Sequence, residues 1–167
     1  MIIVLNGPLG IGKSTLAEAL CESIDRCVML DGDHLVAANP PPADEMAYLH
    51  ATIALLVEHH RRSGYRHFVI NHIWRTFAEL DDLCRELLDI DSDIRCFLLT
   101  LPLDENLRRI RRRQSARALD EEEFERRTVE AEREALFERG EPVGEPFDVS
   151  DPPADLVRSL LLQLDLR

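Results

Sequence analysis

Lys13 is the single lysine of the chain; every other basic side chain apart from histidine is an arginine. It sits in Gly7-Pro8-Leu9-Gly10-Ile11-Gly12-Lys13-Ser14-Thr15, which meets the phosphate-binding loop pattern G-x-x-x-x-G-K-[ST] at every fixed position. Glycines at 7, 10 and 12 let the backbone curl until successive N–H groups point inward at phosphate oxygens. A helix that opens at Lys13 adds the positive end of its dipole. The compact Lys13 ammonium suits a place between the β- and γ-phosphates of a nucleoside triphosphate, where a planar guanidinium fits poorly. The Ser14 hydroxyl then takes a Mg²⁺ position, and Ile11 and Thr15 complete the nucleotide cradle. A dinucleotide fingerprint competes for Gly10-x-Gly12, but it needs a third small residue where Thr15 stands.

Three further groups of residues carry chemistry. Asp31-Gly32-Asp33-His34 places two carboxylates one residue apart at the end of an apolar run. Asn71-His72-Ile73-Trp74-Arg75 follows another such run. Arg108, Arg109, Arg111, Arg112, Arg113 and Arg117 crowd one segment, and some of them must face water or pair with the acids at 120–125. His50 and the pair His59-His60 fall on an expected surface helix, where metal ligation is the less economical reading.

The elements that must position these groups follow from periodicity. Ile2–Leu5, Cys27–Leu30, Phe68–Ile70, Ile94–Thr100 and Pro146–Val149 read as strands. Helical spacing predicts helices over Lys13–Ser23, Asp44–Arg62, Phe77–Leu88, Leu103–Gln114 (capped by Asp104), Glu121–Arg139, and a last one capped by Asp151 with Pro152 in its first turn. Asn39-Pro40-Pro41-Pro42 reads as loop. Four strands are apolar without strict alternation, so both sheet faces should be covered. The expectation is a single domain, residues 1–167, of α/β class. It is a three-layer α/β/α phosphate-loop NTPase fold with a five-stranded parallel sheet and a small helical lid at about 108–120.

Bulk properties narrow the partners. With 32 acidic against 20 basic residues and a net charge of −12, a polyanion would be repelled overall, which argues against nucleic acid as partner. No apolar run approaches the length of a membrane span, and the opening strand leads straight into the loop without a secretory leader. Cys21, Cys27, Cys84 and Cys96 form no C-x-x-C pair and read as small buried thiols. A cytoplasmic protein, monomer or homodimer, is expected.

These motifs resemble the shikimate, gluconate and adenylyl-sulfate kinases and the related chloramphenicol phosphotransferases, over nearly the whole chain. Leu30-Asp31-Gly32-Asp33 is similar to their acidic motif at the end of strand two. Arg109-Ile110-x-x-Arg113 is similar to the segment that leads into the lid, and Phe147-Asp148-Val149-Ser150 to the last strand beside the adenine. The resemblance implies ATP and Mg²⁺ as cofactors and transfer of the γ-phosphoryl group to a hydroxyl of a small-molecule acceptor. It implies Asp33 as the group that takes the hydroxyl proton and Asp31 as the holder of Mg²⁺ through water, together with Ser14. Lys13 and Arg113 are the expected catalytic cations and Arg109 a nucleotide contact.

The chain departs from many phosphate-loop proteins at strand three, which ends Asn71-His72 instead of carrying an aspartate for Mg²⁺. That leaves Asn71, His72, Trp74 and Arg75, with Asp31, Asp33 and His34, to face the acceptor. Trp74 reads equally as substrate wall or core. The mixed polar and apolar set leans to an antibiotic, nucleoside-like or sugar-like acceptor. The alternatives are a nucleoside or nucleotide kinase, and an ATP-binding resistance or regulatory protein that sequesters a ligand, as the tunicamycin-resistance proteins it also resembles suggest.

Overall fold

The structure, a computed structural model, describes residues 1–113, 119–138 and 141–166, without the side chains of 113, 119–122 and 138. Five parallel strands form one sheet: β1 (Ile2–Asn6), β2 (Cys27–Asp31), β3 (His67–Asn71), β4 (Ile94–Thr100) and β5 (Glu145–Asp148), in the order β2-β3-β1-β4-β5. Central β1 is buried at all five positions, which is why its sequence is apolar without alternation. Its odd and even residues serve two different cores. Ile3 and Leu5 join Leu16, Leu20, Phe97, Phe147 and Leu160 on one face. Ile2 and Val4 join Leu49, Ile53, Phe68, Leu83 and Trp74 on the other.

The helices that cover these faces are α1 (Lys13–Ser23) and α7 (Pro153–Gln163) on the first, and α3 (Glu45–Arg62) and α4 (Phe77–Leu88) on the second. Helix α4 opens on a full capping box: Thr76 Oγ1 accepts from Glu79 N at 3.2 Å, while Glu79 Oε2 accepts from Thr76 N at 3.2 Å. Two further helices, α5 (Leu103–Arg113) and α6 (Leu119–Arg133), stand beyond β4, and α6 runs on as a π-helical turn, Glu134–Glu138. This is the expected three-layer α/β/α arrangement. Among the described residues no helix is long and apolar enough to cross a membrane.

Several local expectations need correction. A short helix α2 (Gly32–Leu35) starts directly on β2, because the Asp31 carboxylate accepts from Asp33 N and caps it. Helix α5 begins at Leu103, so Asp104 lies inside the first turn instead of capping it, and Gln114 lies outside the described residues. Helix α7 is preceded by Pro152, not Asp151, with no side-chain cap. His50 is 3% exposed, not a surface residue; it lies on the inner side of α3, where its Nε2 accepts from Trp74 Nε1 at 3.0 Å. Burial lowers its pKa, which keeps the ring neutral and able to accept. The four cysteines are half-buried, not fully buried.

The strand ends are joined by one buried side chain. Asn6 Oδ1 accepts from Gly7 N at 2.8 Å and Trp74 N at 3.0 Å, and its Nδ2 donates to Trp74 O at 2.9 Å and Val143 O at 3.1 Å. Asn6→Ala strands these backbone groups in a buried site. The expected loss is on the order of 3 kcal/mol, read from the midpoint of a urea unfolding curve.

Candidate functional site

The site lies on the C-terminal edge of the sheet, beside β1, where strand order departs in both directions and ligands bind in open parallel sheets. Leaving β1, residues 7–12 curl over the start of α1, with Gly12 as its N-cap. Gly10 has φ +73, and a Cβ there would fall 2.3 Å from Ile110 Cγ1 on α5. The loop therefore needs glycine at this position both for its left-handed backbone and for its seat against α5.

The outside of the loop is held by side chains from the last third of the chain. Asn106 Nδ2 donates to Leu9 O at 3.0 Å, and Glu132 Oε2 accepts from Leu9 N at 2.7 Å. Arg109 bridges the carbonyls of Ile11 at 3.0 Å and Val149 at 2.7 Å. Lys13 Nζ folds back on the carbonyls of Gly7 at 2.7 Å and Pro8 at 3.2 Å, so it lies over the concave side of the loop.

The acidic motif and strand three meet at this loop. Ser14 Oγ donates to Asp31 Oδ2 at 3.1 Å, and Asn71 Nδ2 donates to the same oxygen at 2.9 Å and lies 3.3 Å from Ser14 Oγ. The buried Asn71 Oδ1 has no partner. Strand three thus ends on an amide that holds the Asp31 carboxylate against Ser14. Asn71, expected on the acceptor side, braces the corner where the loop hydroxyl and a carboxylate converge.

Next to this corner, Asp33 is exposed and His72 buried, with His72 Nδ1 3.0 Å from Asp33 Oδ1. That hydrogen bond holds the Asp33 carboxyl below the usual carboxylate range, against the opposing effect of partial burial, with Lys13 and His34 adding electrostatic support. His34 is exposed on α2. Arg75 is exposed and reaches Glu132 Oε1 at 3.5 Å. Trp74 is 0% exposed. Its role is core packing, with an edge-on contact to His72 at 5.5 Å between ring centroids; it has no surface left for a substrate wall.

A cavity of about 510 Å³ opens on the other flank of the loop, lined by Gly12, Thr15, Arg109, Arg112, Val149 and Pro152 among others. Of the arginine cluster, Arg109 and Arg112 line it. Arg108 pairs with Asp104 and Glu105 on its own helix. The Arg113 side chain, residues 114–118 of the expected lid and Arg117 lie outside the described residues.

Sequence reasoning missed Asn6, Asn106, Glu132 and the bracing role of Asn71. Polar residues inside apolar or charged runs are the signal available. Asn106 and Glu132 sit amid arginines and glutamates, where burial of one residue leaves no mark in sequence.

Comparison with known proteins agrees with this geometry. Residues 2–138 match the model of an AAA domain family, and the chain belongs to that family. No curated protein matches the chain in sequence. Among solved structures, the tunicamycin resistance protein of Deinococcus radiodurans is 22% identical, with a TM-score of 0.72 over 99% of this chain and 96% of that one. A gluconokinase from Sinorhizobium meliloti 1021 is 21% identical, TM-score 0.69, over 98% and 90%. A shikimate kinase from Bacteroides thetaiotaomicron is 17% identical, TM-score 0.64, over 99% of each chain. At these identities the likeness is one of fold, and it bears out the resemblance to that kinase group at that level.

Gly10→Ala combines a left-handed alanine, about 1–2 kcal/mol, with a clash against Ile110. Titration calorimetry with the magnesium complex of ATP should show affinity reduced about tenfold or more.

Proposed function

We propose that this AAA domain chain is an ATP-dependent phosphotransferase that moves the γ-phosphoryl group to a hydroxyl of a small molecule. The observation that carries the reading is the convergence of Lys13, Ser14, Asp31 and Asp33 on one corner of the sheet edge, with Ser14 and Asp31 in direct contact at 3.1 Å and Asp33 free to face solvent.

ATP fits the two sides of the loop. Its phosphates suit the N–H groups of residues 10–15 and the Lys13 ammonium, and the adenosine suits the cleft between Arg109 and Pro152. The residues present also fit Mg²⁺. Ser14 and Asp31 offer hard oxygen donors, and the partnerless Asn71 Oδ1 lies behind them. Among the described residues there is no cluster of three His, Cys, Asp or Glu for a metal. Such a metal would take one or two protein oxygens and complete its shell with phosphates and water. When bound, the metal would neutralise charge on the β- and γ-phosphates.

The chain's own residues would do the following. Lys13 exchanges its loop carbonyls for phosphate oxygens and offsets the charge that builds on them in the transition state. Asp31, held by Asn71 and Ser14, keeps the metal corner negative. Asp33 accepts the acceptor's hydroxyl proton as the new oxygen–phosphorus bond forms and the bond from the γ-phosphorus to ADP breaks. Arg109 borders the nucleotide, and Arg113, at the end of α5, is assigned to the transferring group by resemblance. His34 and Arg75, both exposed beside this corner, are the polar groups offered to the acceptor. The mixed lining favours a hydroxylated, partly apolar molecule such as an antibiotic, nucleoside or sugar.

Transfer from radiolabelled ATP into a panel of such acceptors tests the reading. Asp33→Asn should lower turnover by about 10²–10⁴-fold and leave affinity for magnesium–ATP intact, whereas Lys13→Met should weaken both. Nucleotide binding without transfer to any acceptor, and protection by the chain that survives Asp33→Asn, would instead point to ligand sequestration.

A further inference from the structure

The reading above uses Asp33 and leaves its buried neighbour unexplained. His72 follows β3 directly, its N–H bonded to Leu5 O at 3.4 Å. Its side chain is 8% exposed and that of Asp33 78%, so the pair joins a core residue to a surface one. The ring is fixed from three sides. Trp74 packs edge-on against it at 79°, and Trp74 is itself anchored through Nε1 to His50. Asp33 Oδ1 lies 3.0 Å from Nδ1. The third side is Gly32, where a Cβ would fall 2.7 Å from the Cβ, Cγ and Nδ1 of His72. Gly32 sits in α2 with ordinary helical backbone, so it is close approach of the imidazole, not backbone freedom, that demands glycine between the two aspartates.

The tautomer follows from the partner. An ionised carboxylate can only accept, so the Nδ1 that faces Asp33 carries the hydrogen. Asp33 is then held at both ends. Its N–H donates to Asp31 Oδ1 at 3.1 Å, and its Oδ1 accepts from His72.

We propose that His72 is a positioning residue for phosphoryl transfer, which holds Oδ1 of Asp33 through an Nδ1–H donor so that Oδ2 is presented to the acceptor hydroxyl. The proposal rests on the kinase reading of Asp33 and adds to it a buried orienting partner, a carboxylate–imidazole dyad in which the carboxylate is the base. The charged and titratable groups around the dyad are Lys13 from α1, Asp31 at the end of β2, His34 on α2 and His50 from α3. Among the described contacts, the hydrogen bond to the Asp33 side chain comes from His72.

The test uses His72→Leu, His72→Asn and Gly32→Ala in the full chain, with magnesium–ATP affinity and near-ultraviolet circular dichroism to establish that each variant is folded. His72→Leu should lower kcat by about 10²-fold, as expected for a misplaced reacting group, with nucleotide affinity kept. His72→Asn returns an N–H donor near the Nδ1 place and should recover most of kcat. Gly32→Ala, which displaces the ring without touching either polar group, should reproduce the His72→Leu profile. Wild-type kcat in a folded His72→Leu protein would overturn the proposal, as would equal losses in the Leu and Asn variants. If the wild-type chain transfers phosphoryl to no acceptor, the kinase reading fails. The dyad is then judged by ¹⁵N spectra of the His72 ring: a hydrogen-bearing Nδ1 supports it, and a bare Nδ1 refutes it.

Discussion

The rest of the structure depends on four hydrogen bonds made by the buried amide of Asn6. A parallel sheet leaves its strand ends with unpaired backbone groups, and here three segments end in the same buried place: the loop that starts at Gly7, the extension of β3 at Trp74 and the approach to β5 at Val143. One amide has two donors and a two-fold acceptor, enough to satisfy all three. The root of the phosphate loop is thereby fixed to the sheet.

The loop is also held from outside. Asn106 and Glu132 grip opposite sides of the Leu9 peptide, and Arg109 ties Ile11 to Val149. Helices α5 and α6, which flank the segment expected to act as a lid, are therefore bonded to the loop they would cover. These contacts are half-buried polar bonds, costly to leave unmade once water is excluded.

The absence of an aspartate at the end of strand three loses its difficulty once the sheet order is known. β2 and β3 are neighbours in register, with Asp31 opposite Asn71. The carboxylate is supplied by the adjacent strand, and Asn71 orients it. Just beyond these strand ends, Asp33 and His72 form the second pair. The two neighbouring strand ends thus present two carboxylates, each with its own partner from the end of β3.

Much of this was legible in order along the chain. The loop at 7–15, the alternation of apolar runs with helical spacing and the two acids at 31 and 33 are local patterns, and local backbone preference and periodicity decide them. Sequence by itself determined the kind of element at almost every position and the anion-binding chemistry of the loop. It could not decide what lies across from what. That Asn71 faces Asp31, that His72 lies under Asp33, that Trp74 and His50 bond inside the core and that Glu132 reaches Leu9 all follow from the strand order β2-β3-β1-β4-β5 and the seat of α6. These contacts join residues far apart in the chain, and pairing at such separation is set by how the layers pack, which no local pattern of residue types encodes.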